Sequence, residues 1–512
     1  MEPGRIPPVN RAIDMRRAAG VLLHPTSLPG KYGIGDLGPA AIDWLDFLAS
    51  TRTGIWQILP LGPTGYGDSP YQCFSSFAGN PLLISPQLLA ADGFVSKEVL
   101  AYYPKLPNDH VDFAEVFTAK HHLLDVAFEQ FRTAGPSEIV DRFDQFTTDR
   151  AEWLDEFALF MALKRVHDGR PWTQWDEPLR TRDSSALDAA RERLDIDIRR
   201  QAFRQFLFFD QWELIRSHAA EVGVTIVGDL PFYVAEDSAD VWAHQDLFQL
   251  DENGRPTVVA GVPPDYFTDT GQLWGNPIYR WERHEAEGFA WWTDRVAAAA
   301  AMTDVVRFDH FRAFADYWEI PATASTAETG RWVDGPGMPV FERFQERLGN
   351  LPFIAEDLGD LSDAVDALRE ELDLPGMKII QFAFDSGPED PFLPEHYPER
   401  CVAYTGTHDN EPINGWWPEA LVLERTYARE YLGWDGVDPA GRFIAEMWDS
   451  RALWAITQMQ DLLGLGSEGR MNSPGTAAGN WTWRMGPDYA DQQIDNLLAI
   501  NQRYGRTGTG RP

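Results

Sequence analysis

Cysteine and lysine are both scarce in this chain of 512 residues, and it has no long apolar run. Two cysteines, Cys73 and Cys401, provide neither a disulfide framework nor a set of zinc ligands, so we expect a cytoplasmic protein. No apolar run approaches the roughly 18 residues of a membrane helix, and no targeting segment is predicted. The composition therefore argues against disulfide-rich secreted domains and integral membrane proteins.

Basic residues are few as well, since 44 Lys and Arg stand against 79 Asp and Glu, which gives a net charge of -35. Such a charge repels phosphate backbones and anionic lipid headgroups, so neither nucleic acid nor a membrane is an expected partner. A neutral substrate is favoured instead. Arginine supplies nearly all of the basic charge. Adaptation to a high-salt cell and a GC-rich genome are both open explanations of this composition.

The length and composition predict a large folded core. Hydrophobic residues make up 44% of the chain, and 512 residues fit one large elaborated domain or two to three ordinary ones. Aromatic residues make up 13%. Most of them are expected in the core, although aromatic faces also suit the C–H faces of sugars.

Short apolar runs alternate with helix-like segments along the chain, which is typical of a parallel sheet. Eight runs indicate strands, at 21–23, 55–59, 224–229, 304–309, 352–356, 377–382, 401–404 and 454–459. Eight such units predict an α/β fold of the (β/α)8 TIM-barrel type. We interpret 1–512 as a single catalytic barrel domain, with a mainly helical insertion at 85–204. A smaller insertion at 231–300 carries an aromatic-rich loop at 261–281.

Acidic side chains fall at the ends of several predicted strands. Asp229, Asp309 and Glu356 each end an apolar run, and Asp409 follows one within a few residues. Active sites of such barrels are built at the carboxyl ends of the strands. A single acid at this position is more often the cap of the next helix. Four of them at four strands predict a catalytic cluster.

The neighbours of these acids indicate different roles. Arg307 lies two residues before Asp309, so strand alternation places both on one face and favours an ionised, nucleophilic carboxylate. Glu356 follows an apolar run that favours a protonated acid/base, with Asp357 as a rival that alternation points elsewhere. Cleavage with retention needs such a pair about 5 Å apart.

Asp409 lies between His408 and Asn410 and is interpreted as a clamp on sugar hydroxyls. A simple Asx cap of the turn is the alternative reading of this His-Asp-Asn sequence.

Two further segments concentrate groups that could bind a ligand. In Gly65–Tyr71 the glycines allow the backbone to bring Ser69, Tyr66 and Tyr71 close to a ligand, although an ordinary tight turn is the alternative. The segment 263–277 places aromatic residues outside any periodic pattern, which favours a binding or covering loop.

One motif is rejected. Residues 464–469 (GLGSEG) match the dinucleotide-binding pattern, but the sequence NSPG at 472–475 blocks the helix whose N-terminus would bind the pyrophosphate. No zinc-hydrolase, serine-esterase or phosphate-loop motif is present.

Taken together, these segments resemble the 4-α-glucanotransferases known as amylomaltases or disproportionating enzymes, a branch of the α-amylase superfamily. The resemblance spans about residues 17–484. It rests on 22–29 (LLHPTSLP), 65–80, 228–231 (GDLP), 261–281, 307–312 (RFDHFR), 355–359 (AEDLG), 407–410 (THDN) and 472–481.

The resemblance implies that Asp309 is the nucleophile, Glu356 the acid/base and Asp409 the carboxylate that distorts the bound sugar. It also implies sugar-contacting side chains at Asp229, Arg307, His310, His408, Tyr71, Gln272 and Trp274. Tyr66 corresponds to a tyrosine of a secondary glucan contact.

In this family no cofactor or metal is needed. The implied partners are maltooligosaccharides and longer α-1,4-glucans, with glucose as an acceptor. We expect the aromatic loop to decide whether sugar or water completes the reaction. An amylase-type hydrolase or debranching enzyme, and a catalytically inactive glucan-binding protein, remain as alternatives.

Overall fold

Eight parallel strands form a nearly closed barrel in the computed structural model, which describes residues 15–264, 269–349, 352–359, 361–476 and 478–508. The strands run β1 Ala18–Leu22, β2 Ile55–Gln57, β3 Thr225–Pro231, β4 Val258–Val262, β5 Gln272–Pro277, β6 Val305–Asp309, β7 Asp316–Pro321, β8 Arg331–Asp334, β9 Phe353–Ala355, β10 Gly376–Ile379, β11 Cys401–Tyr404 and β12 Trp454–Gln458. The barrel order is β10-β11-β12-β1-β2-β3-β6-β9. The predicted fold class is confirmed.

Each of the eight predicted strand segments overlaps a barrel strand, because buried parallel strands read as short continuous apolar runs. Leu22, Ile55, Val227, Val305 and Ile354 belong to one buried cluster that fills the barrel. Larger clusters lie between the barrel and the surrounding helices. The strands are therefore covered on both faces, as an α/β barrel requires.

Helices surround the barrel and fill most of the long connections. They run α1 Pro39–Ser50, α2 Pro86–Ala91, α3 Lys97–Ala101, α4 Phe113–Ala134, α5 Ser137–Asp149, α6 Ala151–Val166, α7 Glu177–Arg180, α8 Ser184–Arg193, α9 Asp195–Val222, α10 Ala239–Ala243, α11 Trp281–Ala286, α12 Ala290–Met302, α13 Met338–Leu348, α14 Asp363–Glu371, α15 Ile413–Glu419, α16 Val422–Leu432, α17 Pro439–Asp449, α18 Met459–Leu462 and α19 Tyr489–Arg503. Helices α2 to α8 lie between β2 and β3, and α9 leads into β3. In the described residues no helix is both long enough and apolar enough to cross a membrane.

A second sheet covers part of the barrel rim. Its four antiparallel strands have the order β5-β4-β7-β8. The segment 261–281, predicted to be a loop, contains the edge strand β5, and its residues 265–268 lie outside the described residues. The loop assignment is wrong for β5. The β4 strand pairs with both β5 and the more distant β7, and such long-range pairing is invisible in a local sequence pattern.

The barrel closes between β9 and β10, where the described residues form no continuous ladder. The Ala355 N–H donates to the Pro375 carbonyl at 3.0 Å, and the Asp357 carboxylate accepts the Met377 N–H at 2.6 Å. Arg369 Nε lies 3.2 Å from the second oxygen of Asp357. A carboxylate thus replaces a strand-to-strand hydrogen bond. Asp357, the rival acid of the sequence analysis, is bound in this seam.

Gly376 leaves room for the seam carboxylate, because a Cβ atom at this position would overlap Asp357. We expect Gly376→Ala to lower the free energy of unfolding by about 1–3 kcal/mol through overpacking. In an Asp357→Ala background, Gly376→Ala should lower the free energy of unfolding much less, because the carboxylate that the new Cβ atom would overlap is absent. Denaturant unfolding of the four proteins gives the double-mutant cycle, and equal costs in both backgrounds would contradict this packing.

Candidate active site

Arg307 joins two carboxylates at the carboxyl end of the barrel. Its Nη1 donates to both oxygens of Asp229, at 2.9 and 2.7 Å, and to Asp309 Oδ1 at 3.0 Å. Asp229 and Arg307 are opposite one another in the β3–β6 ladder, and Asp309 ends β6 two residues later. The alternation predicted for Arg307 and Asp309 is confirmed.

Arg307 and Asp229 are buried, whereas the Asp309 side chain is 27% exposed. The two carboxylates raise the pKa of Arg307 well above its ordinary value, against the opposing effect of burial. Burial raises the pKa of Asp229 to about 6, and Arg307 opposes that shift. Asp309 is therefore the member of this ion-pair group that a ligand in the barrel mouth could reach.

Tyr71 links this group to the segment that follows β11. Its hydroxyl donates to Asp229 Oδ2 at 2.9 Å and lies 3.2 Å from His408 Nδ1. The Tyr71 and His408 rings stack with centroids 4.7 Å apart, and Trp481 packs near both. His408 Nε2 lies 3.4 Å from Asp409 Oδ2. A continuous chain of polar contacts therefore runs from Arg307 to Asp409.

Asn410 and Asp409 have different roles in the turn that contains them. Asn410 Oδ1 accepts the N–H of Thr407, three residues earlier, at 2.8 Å and so closes the turn. Asp409 is not used in that way. Its Oδ1 accepts from Asn472 Nδ2 at 2.6 Å, and its carbonyl accepts from Arg470 at 3.0 Å. The Asp409 side chain remains 46% exposed and available to a ligand.

Glu356 follows β9 directly and is held by two backbone N–H groups. His310 N–H donates to Oε2 at 2.8 Å and Leu358 N–H donates to Oε1 at 3.1 Å. Burial raises the pKa of Glu356 to about 7, and the charge of Arg307 partly opposes this shift. A carboxyl group with a pKa near neutrality can both donate and accept a proton.

His310 joins Glu356 to the small sheet. Its backbone is left-handed, with φ at 54°, and this conformation directs its N–H at the Glu356 carboxylate. The His310 ring lies edge-on to Trp274, with centroids 4.9 Å apart. Burial lowers the pKa of His310 to about 4, so the ring is neutral at physiological pH. Trp274 in turn donates to Gln272 Oε1 at 3.1 Å.

The remaining predicted side chains lie further from the acids. Ser69 Oγ accepts the Tyr71 N–H at 3.2 Å and supports the turn that carries Tyr71. Tyr66 is 77% exposed, at the surface of the same turn. Ser69 thus acts through Tyr71, and Tyr66 lies outside the cluster of acids.

Sequence reasoning gave no site role to Asn472 or Arg470, which contact Asp409, or to Tyr233 and Trp481. Asn472 and Trp481 belong to the 472–481 motif. The motif therefore marks these residues, but its sequence does not indicate that they lie near the acids. Tyr233 packs against both His310 and Trp274. It follows β3 by two residues, which is the position where a barrel places such groups.

Neither a dinucleotide nor a metal site is found in the described part of the chain. Residues 464–469 end in a single 3-10 turn, Ser467–Gly469, and open no helix, which confirms the rejection of the dinucleotide motif. In those same described ranges no group of three or more His, Cys, Asp or Glu side chains could bind a metal ion.

Comparison with known proteins identifies the family. A family model described as 4-alpha-glucanotransferase matches residues 23–489 of the chain. The chain belongs to this family. It is accordingly an enzyme with 4-alpha-glucanotransferase activity, which confirms the resemblance drawn from the motifs.

Relatives of this family cover nearly the whole chain. A 4-alpha-glucanotransferase of Thermus thermophilus is 49% identical over 93% of this chain and 96% of its own. One from Synechocystis sp. is 46% identical over 96% and 98%. A chloroplastic or amyloplastic relative from Solanum tuberosum is 41% identical over 96% of this chain and 87% of its own.

Solved structures support the same assignment. An amylomaltase from Streptococcus agalactiae in complex with acarbose superimposes with a TM-score of 0.93, at 39% identity, over 96% of this chain and all of that one. An amylomaltase from Corynebacterium glutamicum, at 18% identity and a TM-score of 0.73, covers 99% of this chain and 77% of its own and shows the shared fold.

Proposed function

We propose that the enzyme transfers α-1,4-glucan segments by a retaining, two-step reaction through a covalent bond to Asp309. The observation that carries this proposal is the contrast between the two acids. Asp309 is paired with the Arg307 guanidinium, whereas desolvation raises the pKa of the half-buried Glu356 to about 7. One ionised and one protonated carboxyl are what retention requires.

In the first step, an Asp309 carboxylate oxygen attacks the anomeric carbon of the donor. The bond from that carbon to the glycosidic oxygen breaks, and Glu356 donates its proton to the departing oxygen. The leaving maltooligosaccharide or glucose then diffuses away. Arg307 Nη1 donates to Asp309 Oδ1 at 3.0 Å and would orient the carboxylate for the attack.

In the second step, the 4-hydroxyl of glucose or of another glucan attacks the same carbon. Glu356, now ionised, accepts the hydroxyl proton, and the bond to Asp309 breaks. The two inversions restore the α configuration. His310 N–H and Leu358 N–H orient the Glu356 carboxylate through both steps.

We assign to Asp409 the role of binding the sugar at the cleavage site. Its Oδ2, which Asn472 does not bind, would accept hydrogen bonds from sugar hydroxyl groups and favour a distorted ring. Asn472 fixes one Asp409 oxygen, and His408 lies beside the other. Tyr71 offers a ring beside the same sugar. The Streptococcus agalactiae relative was solved in complex with acarbose, which supports an oligosaccharide-like ligand for this enzyme.

The choice between transfer and hydrolysis depends on how well water is excluded while the acceptor binds. Trp274 and Gln272 lie on the edge strand of the small sheet, next to His310, whose N–H binds the acid/base. We assign these two side chains to the acceptor side as a cover over the intermediate.

The transfer reaction is tested with maltotriose as the sole substrate. We expect a ladder of longer and shorter maltodextrins together with glucose on a thin-layer plate, because one molecule serves as donor and another as acceptor. Shorter products alone would support the hydrolase alternative. An unchanged substrate would support a binding protein.

The acid/base role of Glu356 predicts a particular pH profile. The protonated form donates in the first step, so kcat/KM should fall as the pH rises through about 7. Glu356→Gln should lower the rate by about 10²- to 10⁴-fold and remove this decline. Glu319→Gln, a buried carboxyl in the small sheet, is the control and should keep the decline. If kcat/KM still declines with rising pH in Glu356→Gln, the decline reflects the titration of another group.

The covering role of Trp274 predicts a shift in partitioning. Trp274→Ala should raise the ratio of hydrolysis to transfer by about 2- to 10-fold, the range expected from losing one aromatic contact. Leu273→Ala is the matched control, because Leu273 is exposed on the opposite face of the same strand. The ratio of hydrolysis to transfer is obtained by comparing the number of new reducing ends with the amount of glucose released. An equal shift in both variants would count against this role.

A further inference from the structure

Arg295 is a buried arginine of helix α12 that the mechanism above does not use. Only 1% of its surface is exposed, and its hydrogen bonds to described residues all have uncharged oxygen acceptors. Its guanidinium lies over the rings of Trp291 and Trp292, with Cζ 5.4 and 4.8 Å from their centroids. Burying a cation is unfavourable unless its hydrogen bonds are well satisfied. The contacts of this guanidinium therefore indicate its role.

The guanidinium binds the backbone where β3 ends. Its Nη1 donates to the Phe232 carbonyl at 2.8 Å, and its Nη2 donates to the Pro231 carbonyl and reaches that of Tyr233 at 3.5 Å. Nη1 also donates to the Tyr279 hydroxyl at 3.1 Å, and this hydroxyl donates to the Phe232 carbonyl at 2.7 Å. One planar side chain with several donors thus binds three successive carbonyls.

Packing around this strand end is incomplete. A cavity of about 80 Å³ lies between α12 and the ends of β2 and β3, and it borders Arg295, Asp229, Pro231 and Tyr233. Side chains of the described residues do not fill this space, so van der Waals contact constrains the strand end weakly on that side. The hydrogen bonds from Arg295 supply a constraint that packing does not.

Strand pairing connects the bound segment to the proposed nucleophile. Pro231 is opposite Asp309 in the β3–β6 ladder. A proline has no N–H to donate to a neighbouring strand, so the ladder has one hydrogen bond fewer at this position. Arg295 binds the Pro231 carbonyl from the other side. A shift of the β3 end would therefore displace the backbone beside Asp309.

A second route connects the same segment to the proposed acid/base. The Tyr233 ring packs against the His310 ring, with centroids 6.1 Å apart. The His310 N–H donates to Glu356 Oε2 at 2.8 Å. A change in the position of Tyr233 would therefore reach the Glu356 carboxyl through His310.

We propose that Arg295 is a positioning residue of the transfer reaction, which fixes the end of β3 and thereby the relative placement of Asp309 and Glu356. The inference rests on the proposed transfer function. Arg295→Lys keeps the positive charge, but a single ammonium group cannot reproduce the planar array of donors that binds three carbonyls. A loss of activity in this variant would thus reflect geometry and not charge.

The first test measures kcat and KM for maltotriose. Arg295→Lys should lower kcat by about 10- to 100-fold, the effect of a misplaced catalytic group, and should leave KM within about 2-fold of the native value. Tyr279→Phe removes only one hydroxyl from the same network and should change kcat in the same direction by a smaller factor.

The pH profile reports the placement of Glu356. Burial raises the pKa of Glu356, the charge of Asp309 adds to that rise, and Arg307 and the His310 N–H oppose it. If Arg295→Lys lets His310 move away, the pKa of Glu356 should rise further. The decline in kcat/KM should then move to higher pH by about 0.5–1 unit, since complete loss of a hydrogen bond to a charged group would move it by about 1–2 units.

Arg204→Lys is the matched control. Arg204 is also a buried arginine, but it lies on α9 and donates to Asp125 on α4 at 2.7 Å, in the helical insertion. This change should lower the thermal stability and leave both kcat and the pH profile unchanged. All rates are measured well below the unfolding midpoint of each variant, as determined by calorimetry, so that partial unfolding does not contribute.

The outcomes separate the two proposals. If the native enzyme forms no maltotriose ladder, the transfer function fails and the role of Arg295 in it fails too. If the ladder forms but Arg295→Lys and Tyr279→Phe leave kcat and the pH profile unchanged, the positioning role alone is overturned. Equal changes in Arg204→Lys would also overturn it, because the effect would then reflect general destabilisation.

Discussion

The arrangement of the active site depends on one buried guanidinium. Arg307 binds Asp229 and Asp309 at once, and its charge opposes the rise in the pKa of Asp229 that burial causes. Removing one partner of a buried ion pair leaves an uncompensated charge, which costs about 3–5 kcal/mol. The same cation opposes the protonation of Glu356 but does not overcome the effect of burial. One guanidinium therefore pairs with Asp309 and also moderates the pKa of Glu356.

The barrel brings these groups together because its strands end on a common rim. Asp309 ends β6, Glu356 directly follows β9 and Asp229 lies two residues before the end of β3. Asp409 is carried by a turn that Asn410 closes. The small sheet then adds Trp274 over His310. Rigid strands position the carboxylates, whereas the connections between them supply the groups that surround a substrate.

The segment that follows α18 supports Asp409 through two side chains. Asn472 donates to one oxygen of the Asp409 carboxylate, and Arg470 donates to the Asp409 carbonyl. Arg470 also donates to the Glu411 carboxylate, so one guanidinium joins this segment to the turn after β11. A change of either side chain would therefore alter the placement of Asp409.

The sequence by itself determined the eight strands, the strand-end positions of Asp309 and Glu356 and the pairing of Arg307 with Asp309, because burial and alternation leave local patterns. Only the tertiary structure decided that 272–277 is an edge strand, that Asp357 closes the barrel seam, and that Asn472 and Arg470 fix Asp409. These contacts join residues that are 20 to 63 positions apart or depend on sheet pairing. A periodic pattern in the sequence does not indicate which distant residue a side chain contacts.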